Sequence, residues 1–392
     1  MEDTGFKSTA GGAGEEKVVD LTRNLIVRRS DTDETEVARF IQGYLKSIGI
    51  DSEILACNPK TEQERYGVNL VASIGKGEGL MLAGHMDTVA LGDETQWKHR
   101  QGEVVGDRLY GRGASDMKGG LASILTALSR VDLSNAKRRI LLVFDADEEG
   151  YFTGANHLVA DNRDIFEGVK YGILAETSDL KIKVMQKGLM GMRVVFRGTS
   201  AHASTPSDKV DSAIVKAAGF VSEATKLNEK FKDDGVFGKG TLIVGTIKGG
   251  TGENVVPNRC EVSVDRRIVT NETLEEAREQ ILSLVRDPRF GPDPIVLPGF
   301  EFKPYKLDMD SKVLKMLTEA SGLEPVLGKG YAVSSGYTEA ELFSTRAGVE
   351  SAIYGPGSHE MAHQVGEYVN IGELLTATAT FEKVIGRWVS GG

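Results

Sequence analysis

At 392 residues, with 40% hydrophobic and 27% charged side chains, the chain is longer than one hydrophobic core usually organises, so two domains are expected. A net charge of −10 gives no basic footprint for nucleic acid or an anionic membrane, and no apolar stretch approaches the length of a membrane span. Cys57 and Cys260, one in each expected domain, are too few for a disulfide framework, so reduced thiols are the default.

From Met1 to Glu16 the chain is polar and Gly-rich without an apolar leader core, and a cytoplasmic location is the expectation. The first informative element is the apolar β-type run Leu80 to Ala83, which delivers His85 and Asp87 in Gly-His-Met-Asp-Thr-Val. Asp116 follows in Gly-Arg-Gly-Ala-Ser-Asp-Met-Lys-Gly-Gly. Behind it Leu121, Ile124, Leu125 and Leu128 fall at helical spacing, predicting a helix over Gly119 to Val131. That glycine string lacks the third Gly of a dinucleotide loop and carries an acid instead. A second β-type run, Arg139 to Phe144, leads into Glu148 and Glu149 in Asp-Ala-Asp-Glu-Glu-Gly. The third, Tyr171 to Ala175, delivers Glu176, and a late Ala-His-Gln supplies His363.

Ligands at the ends of successive strands converge at the carboxyl edge of a sheet. Singly, each string also fits an ordinary turn or a solvated pair; together they read as one dinuclear metal site of three carboxylates and two imidazoles. Nitrogen with hard oxygen donors suits zinc, cobalt and manganese being the alternatives, and the absence of Cys argues for an open rather than a closed structural site. His99, His157 and His359 receive no role. His359 sits in a loop announced by Gly355, Pro356 and Gly357.

Between about Leu180 and Pro298 the pattern becomes strand, helix, strand, strand, helix, strand. The predicted strands are Met192 to Gly198, Thr241 to Lys248, Arg259 to Ile268 and Pro294 to Phe302; the helices run from Val210 to Phe231 and from Leu274 to Arg286, the second capped by Thr270 or Asn271. This is a split βαβ, ferredoxin-like insert (181–298) interrupting a catalytic domain formed by 1–180 and 299–392. A terminal helix, Ile371 to Trp388, closes the chain with Ile371, Leu374, Leu375, Phe381, Ile385 and Trp388 on one face and Thr378 as its polar member.

These strings, in this order from the first helix to the last, resemble the zinc aminoacylase and carboxypeptidase family that includes acetylornithine deacetylase, succinyl-diaminopimelate desuccinylase and glutamate carboxypeptidase. The resemblance implies an α/β dinuclear zinc-peptidase core, its mixed central sheet flanked by helices, with an inserted α+β lid and dimerisation domain. It implies two Zn²⁺: Asp116 bridging them, His85 and Glu176 completing one site, Glu149 and His363 the other, and Asp87 orienting the His85 imidazole. Glu148 would be the general base that takes a proton from the attacking water and hands it to the leaving amine. Ligand and base can be neighbours because adjacent residues at a strand end point to opposite sides. In the insert, His202 of Gly-Thr-Ser-Ala-His-Ala-Ser would polarise the scissile carbonyl, often across a homodimer, while Asn254 and Arg267 would hold the substrate carboxylate or oxyanion. Groups drawn from two domains imply closure about hinges near Leu180 and Pro298.

Glu rather than Asp at 176 matches the aminoacylase and carboxypeptidase branch. Tyr337-Thr-Glu339-Ala and the Gly355-Pro-Gly357-Ser358 loop, whose N–H groups could meet a carboxylate, resemble acetylornithine deacetylase. The expectation is therefore removal of an acetyl or succinyl group from an N-acyl amino acid, with carboxypeptidase or dipeptidase action on short peptides as the alternative. A metal-binding or interaction protein without catalysis is the alternative of another class, opposed by the presence of Glu148. Three departures, Tyr151, Gly366 and Ala90, bear on loop shape and substrate fit and leave the ligands intact.

Overall fold

The computed structural model describes residues 15–59, 65–291, 294–334 and 336–391. The start of the chain, read above as lacking a leader, lies outside them up to residue 14. Strands named here are, in chain order, β1 (Glu53–Cys57), β2 (Gly67–Ile74), β3 (Gly79–His85), β4 (Arg139–Asp145), β5 (Val169–Leu174), β6 (Ile182–Gln186), β7 (Gly188–Arg197), β8 (Thr241–Gly249), β9 (Arg259–Ile268), β10 (Ile295–Phe302) and β11 (Glu350–Ile353). Helices are α1 (Gly119–Leu128), α2 (Ala213–Lys230), α3 (Leu274–Val285) and α4 (Ile371–Ser390).

Two compact units emerge: 1–184 with 307–332 and 342–392, and 185–306 with 333–341. In the first, a mixed sheet runs β1-β2-β4-β3-β5-β11 and ends on the first residues of β6, where Lys183 pairs with Ile353. Its centre is parallel: His85 pairs with Asp145, Ala83 with Leu174, and Ile353 with Leu174. Strands buried on both faces in this way carry the near-continuous apolar runs that mark them in the sequence. The parallel strands therefore end together, at one edge. Helix α1 packs against α4, whose Thr378 hydroxyl donates to the Leu374 carbonyl and so is satisfied within the buried face.

Gly120, in the first turn of α1, shows why the motif ends in Gly-Gly. A Cβ there would stand 1.9 Å from the carbonyl oxygen of Ala175, the residue before Glu176. Gly120→Ala is expected to destabilise the fold by about 1–3 kcal/mol through overpacking. Gly386→Ala in α4, where a Cβ meets nothing within 4 Å, should instead leave stability unchanged or raised, and urea titration of both variants against wild type checks the contrast.

The second unit holds an antiparallel sheet of order β8-β9-β7-β10 with α2 and α3 contributing to its core around Phe196, Phe220, Val262 and Ile281. The connection order is that of the expected ferredoxin-like insert. Three details differ from the sequence expectation. The cap of α3 is Thr273, in a capping box with Glu276, because Thr270 donates its hydroxyl to Asp234 instead. The unit also ends later than 298, since Tyr305 and Lys306 pair with Gln186 and Met185. Finally, 333–341 joins it through Gln186, which exchanges hydrogen bonds with Thr338 at 2.8 Å, and through Phe302 stacked on Tyr337 with ring centroids 4.3 Å apart. No helix among the described residues is long and apolar enough to cross a membrane.

Candidate metal centre

Every donor expected at the carboxyl edge of the first unit is there, in two groups. His85, Asp116 and Glu176 offer ligand atoms within 4.8 Å of one another, and so do Asp116, Glu149 and His363. His85 Nε2 lies 3.1 Å from Asp116 Oδ1 and 3.1 Å from Glu176 Oε1. His363 Nε2 lies 2.8 Å from Glu149 Oε2 and 3.6 Å from Asp116 Oδ2. Asp116 thus turns one oxygen to each group. Donors about 2.0–2.2 Å from a tetrahedral ion stand roughly 3.3–3.6 Å apart, so these spacings fit a pair of divalent cations with little adjustment. Glu149 Oε1 is buried without a hydrogen-bond partner, an orphan that a cation would satisfy.

The donors act on one another's protonation. Burial opposes a charged His85, yet hydrogen bonds to Asp116, Asp87 and Glu176 raise its pKa well above the ordinary imidazole value. The hydrogen bond to Glu149 likewise raises His363. Burial, with the charge of Asp116 beside it, pushes the Glu149 carboxyl up to about 7. Burial works against Asp116 too, but the His85 hydrogen bond and the nearby imidazoles hold it below the usual carboxylate range.

Asp87 does more than orient His85. The Nδ1 of His85 is 3.1 Å from the Asp87 backbone carbonyl and 3.5 Å from its Oδ1, which leaves Nε2 facing Asp116 and Glu176. The Asp87 carboxylate accepts from the backbone N–H of Glu148 at 3.1 Å and of Glu149 at 3.1 Å. These two glutamates lie on a turn beyond β4, not on the strand end, and Asp147 at φ 61° helps set that turn. Strand alternation is therefore not what separates them; a turn pinned by one carboxylate is. Glu149 goes to His363, while Glu148 keeps a carboxylate oxygen within 4.8 Å of Glu176.

The sequence did not reveal the layer beneath. Arg65 pairs with Glu34 and, at 2.9 Å, with Asp147 Oδ1. Burial and the charge of Asp87 push Glu34 up to about 7 against the pull of Arg65.

One expectation needs correcting. The Gly355–Ser358 loop has no free N–H for a substrate carboxylate: Gly355 donates to Ser178 Oγ, Gly357 to Glu373 at 2.7 Å, and Ser358 to Ser115 Oγ at 2.9 Å. Gly357 itself, at φ 86°, leaves room only for Ser115, because a Cβ would come within 2.4 Å of that hydroxyl. The loop buttresses the segment that carries Asp116. Of the three departures, Gly366 is explained by φ 85°, a left-handed conformation that Gly and Asn share.

In the second unit His202 and Asn254 come together on adjoining segments. His202 bridges Val255, and the Ala203 N–H donates to the Asn254 carbonyl at 3.0 Å. The Ser204 backbone N–H, which can only donate, meets His202 Nδ1 at 3.2 Å, so the neutral ring carries its proton on Nε2. Arg267 lies apart from both. It sits eight residues along β9 from Arg259, roughly 26 Å at strand rise, whereas the His202 loop adjoins the Arg259 end. Its Nε and Nη2 grip Asp265 at 2.9 and 3.2 Å, leaving the Nη1 edge for another carboxylate. Neighbouring Arg266 faces the core instead, paired with Glu272 at 2.6 Å.

The chain is similar to several known proteins. The acetylornithine deacetylase of Myxococcus xanthus is 33% identical over 344 residues, covering 83% of this chain and 85% of that protein. The succinyl-diaminopimelate desuccinylase of Alkalilimnicola ehrlichii is 28% identical over 389 residues, covering 95% and 99%. Among solved structures, a tripeptidase from Staphylococcus aureus superposes with a TM-score of 0.77 at 21% identity, covering 96% of this chain and 99% of its own. A dinuclear metal-binding peptidase from Bacillus subtilis gives 0.70 at 15% identity, covering 97% and 99%. The family model described as peptidase family M20/M25/M40 matches residues 81–387, which span the strand ends, the paired donor groups and the inserted unit alike, and the chain belongs to that family.

Proposed function

We propose that the chain is an amidohydrolase that removes an acetyl or succinyl group from an N-acyl amino acid, using two Zn²⁺ ions, with Co²⁺ or Mn²⁺ as substitutes. The observation that carries this reading is Asp116 shared between two three-donor groups beside Glu148. His85 and Glu176 would hold one ion, Glu149 and His363 the other, and Asp116 both. When bound, such a pair supplies Lewis acidity and lowers the pKa of the attacking water toward about 7. Glu148 takes the proton of that water and returns it to the leaving nitrogen. His202, protonated on Nε2, donates to the oxygen on which charge develops. Asn254 adds a polar contact beside it, and the Nη1 edge of Arg267 orients the substrate carboxylate.

The eight residues of β9 from Arg259, beside the His202 and Asn254 segments, to Arg267 span roughly 26 Å, more than a small N-acyl amino acid, which argues against the three serving one substrate from one chain. This supports a homodimer in which each copy lends His202 to its partner. The exposed Ile243 and Ile247 on edge strand β8 supply apolar surface for such an association. The test of the dimer is complementation: His202→Ala and Glu148→Ala, each inactive alone, are mixed under subunit exchange. Recovery to about a quarter of wild-type turnover is expected, since half the dimers then hold one intact site; no recovery, or a fully active monomer, would refute the exchange. His202→Ala alone should lower kcat on the order of 10²–10³-fold with metal content unchanged.

The substrate class is tested by amine release from a panel of N-acetyl and N-succinyl amino acids and C-terminal peptides. Turnover confined to the peptides would replace the deacylase reading with a carboxypeptidase. Metal uptake without turnover on any member would leave only a binding role.

A further inference from the structure

We propose that Glu367 and Arg112 are positioning residues that lock the two metal-binding loops together, an inference that rests on the metal reading above. Neither is a candidate ligand, and both are buried. Glu367 Oε1 accepts from the backbone N–H of Ser115 at 2.9 Å and of Asp116 at 3.1 Å. Its Oε2 pairs with Arg112 Nη1 at 2.7 Å. The same guanidinium donates to the carbonyls of His363 at 3.4 Å, Gln364 at 3.3 Å and Ala90 at 3.3 Å. A short ladder sets the two residues opposite each other, because Arg108–Tyr110 pairs antiparallel with Tyr368–Asn370, and Gly111 N–H donates to the Glu367 carbonyl at 2.9 Å.

One carboxylate thus fixes the backbone of the residue common to both donor groups, and through one guanidinium it fixes the backbone of His363. His363 has need of this anchor: it sits at φ 64° in a loop with its side chain half exposed, so its imidazole is not held by packing. The pairing demands these two residue types. Glu367 accepts on both oxygens, and glutamine would turn an amide N–H either toward the Ser115 and Asp116 N–H groups or toward Arg112, placing donor against donor in a buried site. Lysine at 112 can meet Glu367 as a point charge but lacks the planar fork that reaches His363, Gln364 and Ala90 together.

The test uses the full chain, stripped by chelator and titrated with Zn²⁺ against a chromophoric competitor, then with Co²⁺ to read ligand geometry from the visible spectrum. Wild type, Glu367→Gln, Arg112→Lys and His363→Ala are compared, with the melting curve of each metal-free protein as the check of fold. If the clamp acts as inferred, Glu367→Gln and Arg112→Lys each melt cooperatively, weaken both ions on the order of 10–100-fold and alter the Co²⁺ spectrum. His363→Ala weakens one ion only. Affinities for both ions within about twofold of wild type in Arg112→Lys, which keeps the buried positive charge and decides the matter even where the Glu367 variant fails to accumulate, would overturn the proposal. A wild-type chain that binds no ion tightly would overturn the metal reading itself and the clamp with it.

Discussion

Replacing Glu148 with alanine is expected to lower kcat on the order of 10²–10⁴-fold while leaving the metal content intact, because in the proposed mechanism the residue moves protons rather than holding an ion. The neighbouring Glu149→Ala should behave oppositely and lose metal first, since its Oε2 is 2.8 Å from His363 Nε2 within the second donor group. The contrast follows from the turn. Asp87 accepts both backbone N–H groups, one on each oxygen, so the two side chains leave a rigid platform in different directions. The measurements are kcat and KM on the best substrate of the panel, with metal counted per chain in the same preparations. A Glu148→Ala enzyme that turns over within about tenfold of wild type would remove this residue as the base. One that has lost its metal would instead make Glu148 part of the metal shell. Glu148→Gln, similar in volume, should match the alanine variant in rate if the lost function is proton transfer rather than packing.

How much of this was legible in the sequence depended on where the information lay. The strand ends were legible, because a parallel sheet buried on both faces writes itself as short apolar runs, and His85 and Glu176 follow such runs directly. The inserted unit was legible for the same local reason: alternation along β9 and the helical period of α2 are properties of neighbouring residues. Alternation even separates Arg266, buried under the ring of Phe231, from outward-facing Arg267. Most of the misreadings are of contacts made at long range. Nothing near Gly357 announces that its N–H serves Glu373 across the turn into α4, and nothing near Glu367 announces the Asp116 backbone 251 positions away. Gln186 and Thr338 are likewise separated by 152 positions, so the return of 333–341 to the second unit was invisible. The two adjacent glutamates failed differently, since the β period was extended past Asp145 into a turn.

Stripping the metal is expected to abolish turnover, and its thermodynamic signature should reveal the ligands. In the metal-free protein His85 and His363 have raised pKa values and Glu149 is pushed up to about 7, so the donor groups share protons near pH 6 that an incoming cation must displace. Metal affinity therefore rises with pH as these groups lose their protons, and binding near pH 6 releases protons to the buffer. Stability of the metal-free chain moves the other way. A group whose folded pKa is raised contributes stability below its unfolded pKa and loses it as pH climbs through the folded value. For Glu149 that window runs from its ordinary value of 4.5 to about 7, and the two imidazoles add to it from 6.5 upward. Asp116 and Asp87, with lowered pKa values, act with the opposite sign, but only at and below their ordinary 3.8. Between pH 5 and 8 the gap in melting temperature between metal-loaded and stripped protein should thus widen with pH. Calorimetric titration with Zn²⁺ in buffers of different ionisation enthalpy counts the released protons. His363→Ala should reduce that count and narrow the gap. A proton release of zero near pH 6, or a gap that closes as pH rises, would mean that these side chains do not give up protons to a metal, and the site would have to be sought elsewhere in the chain.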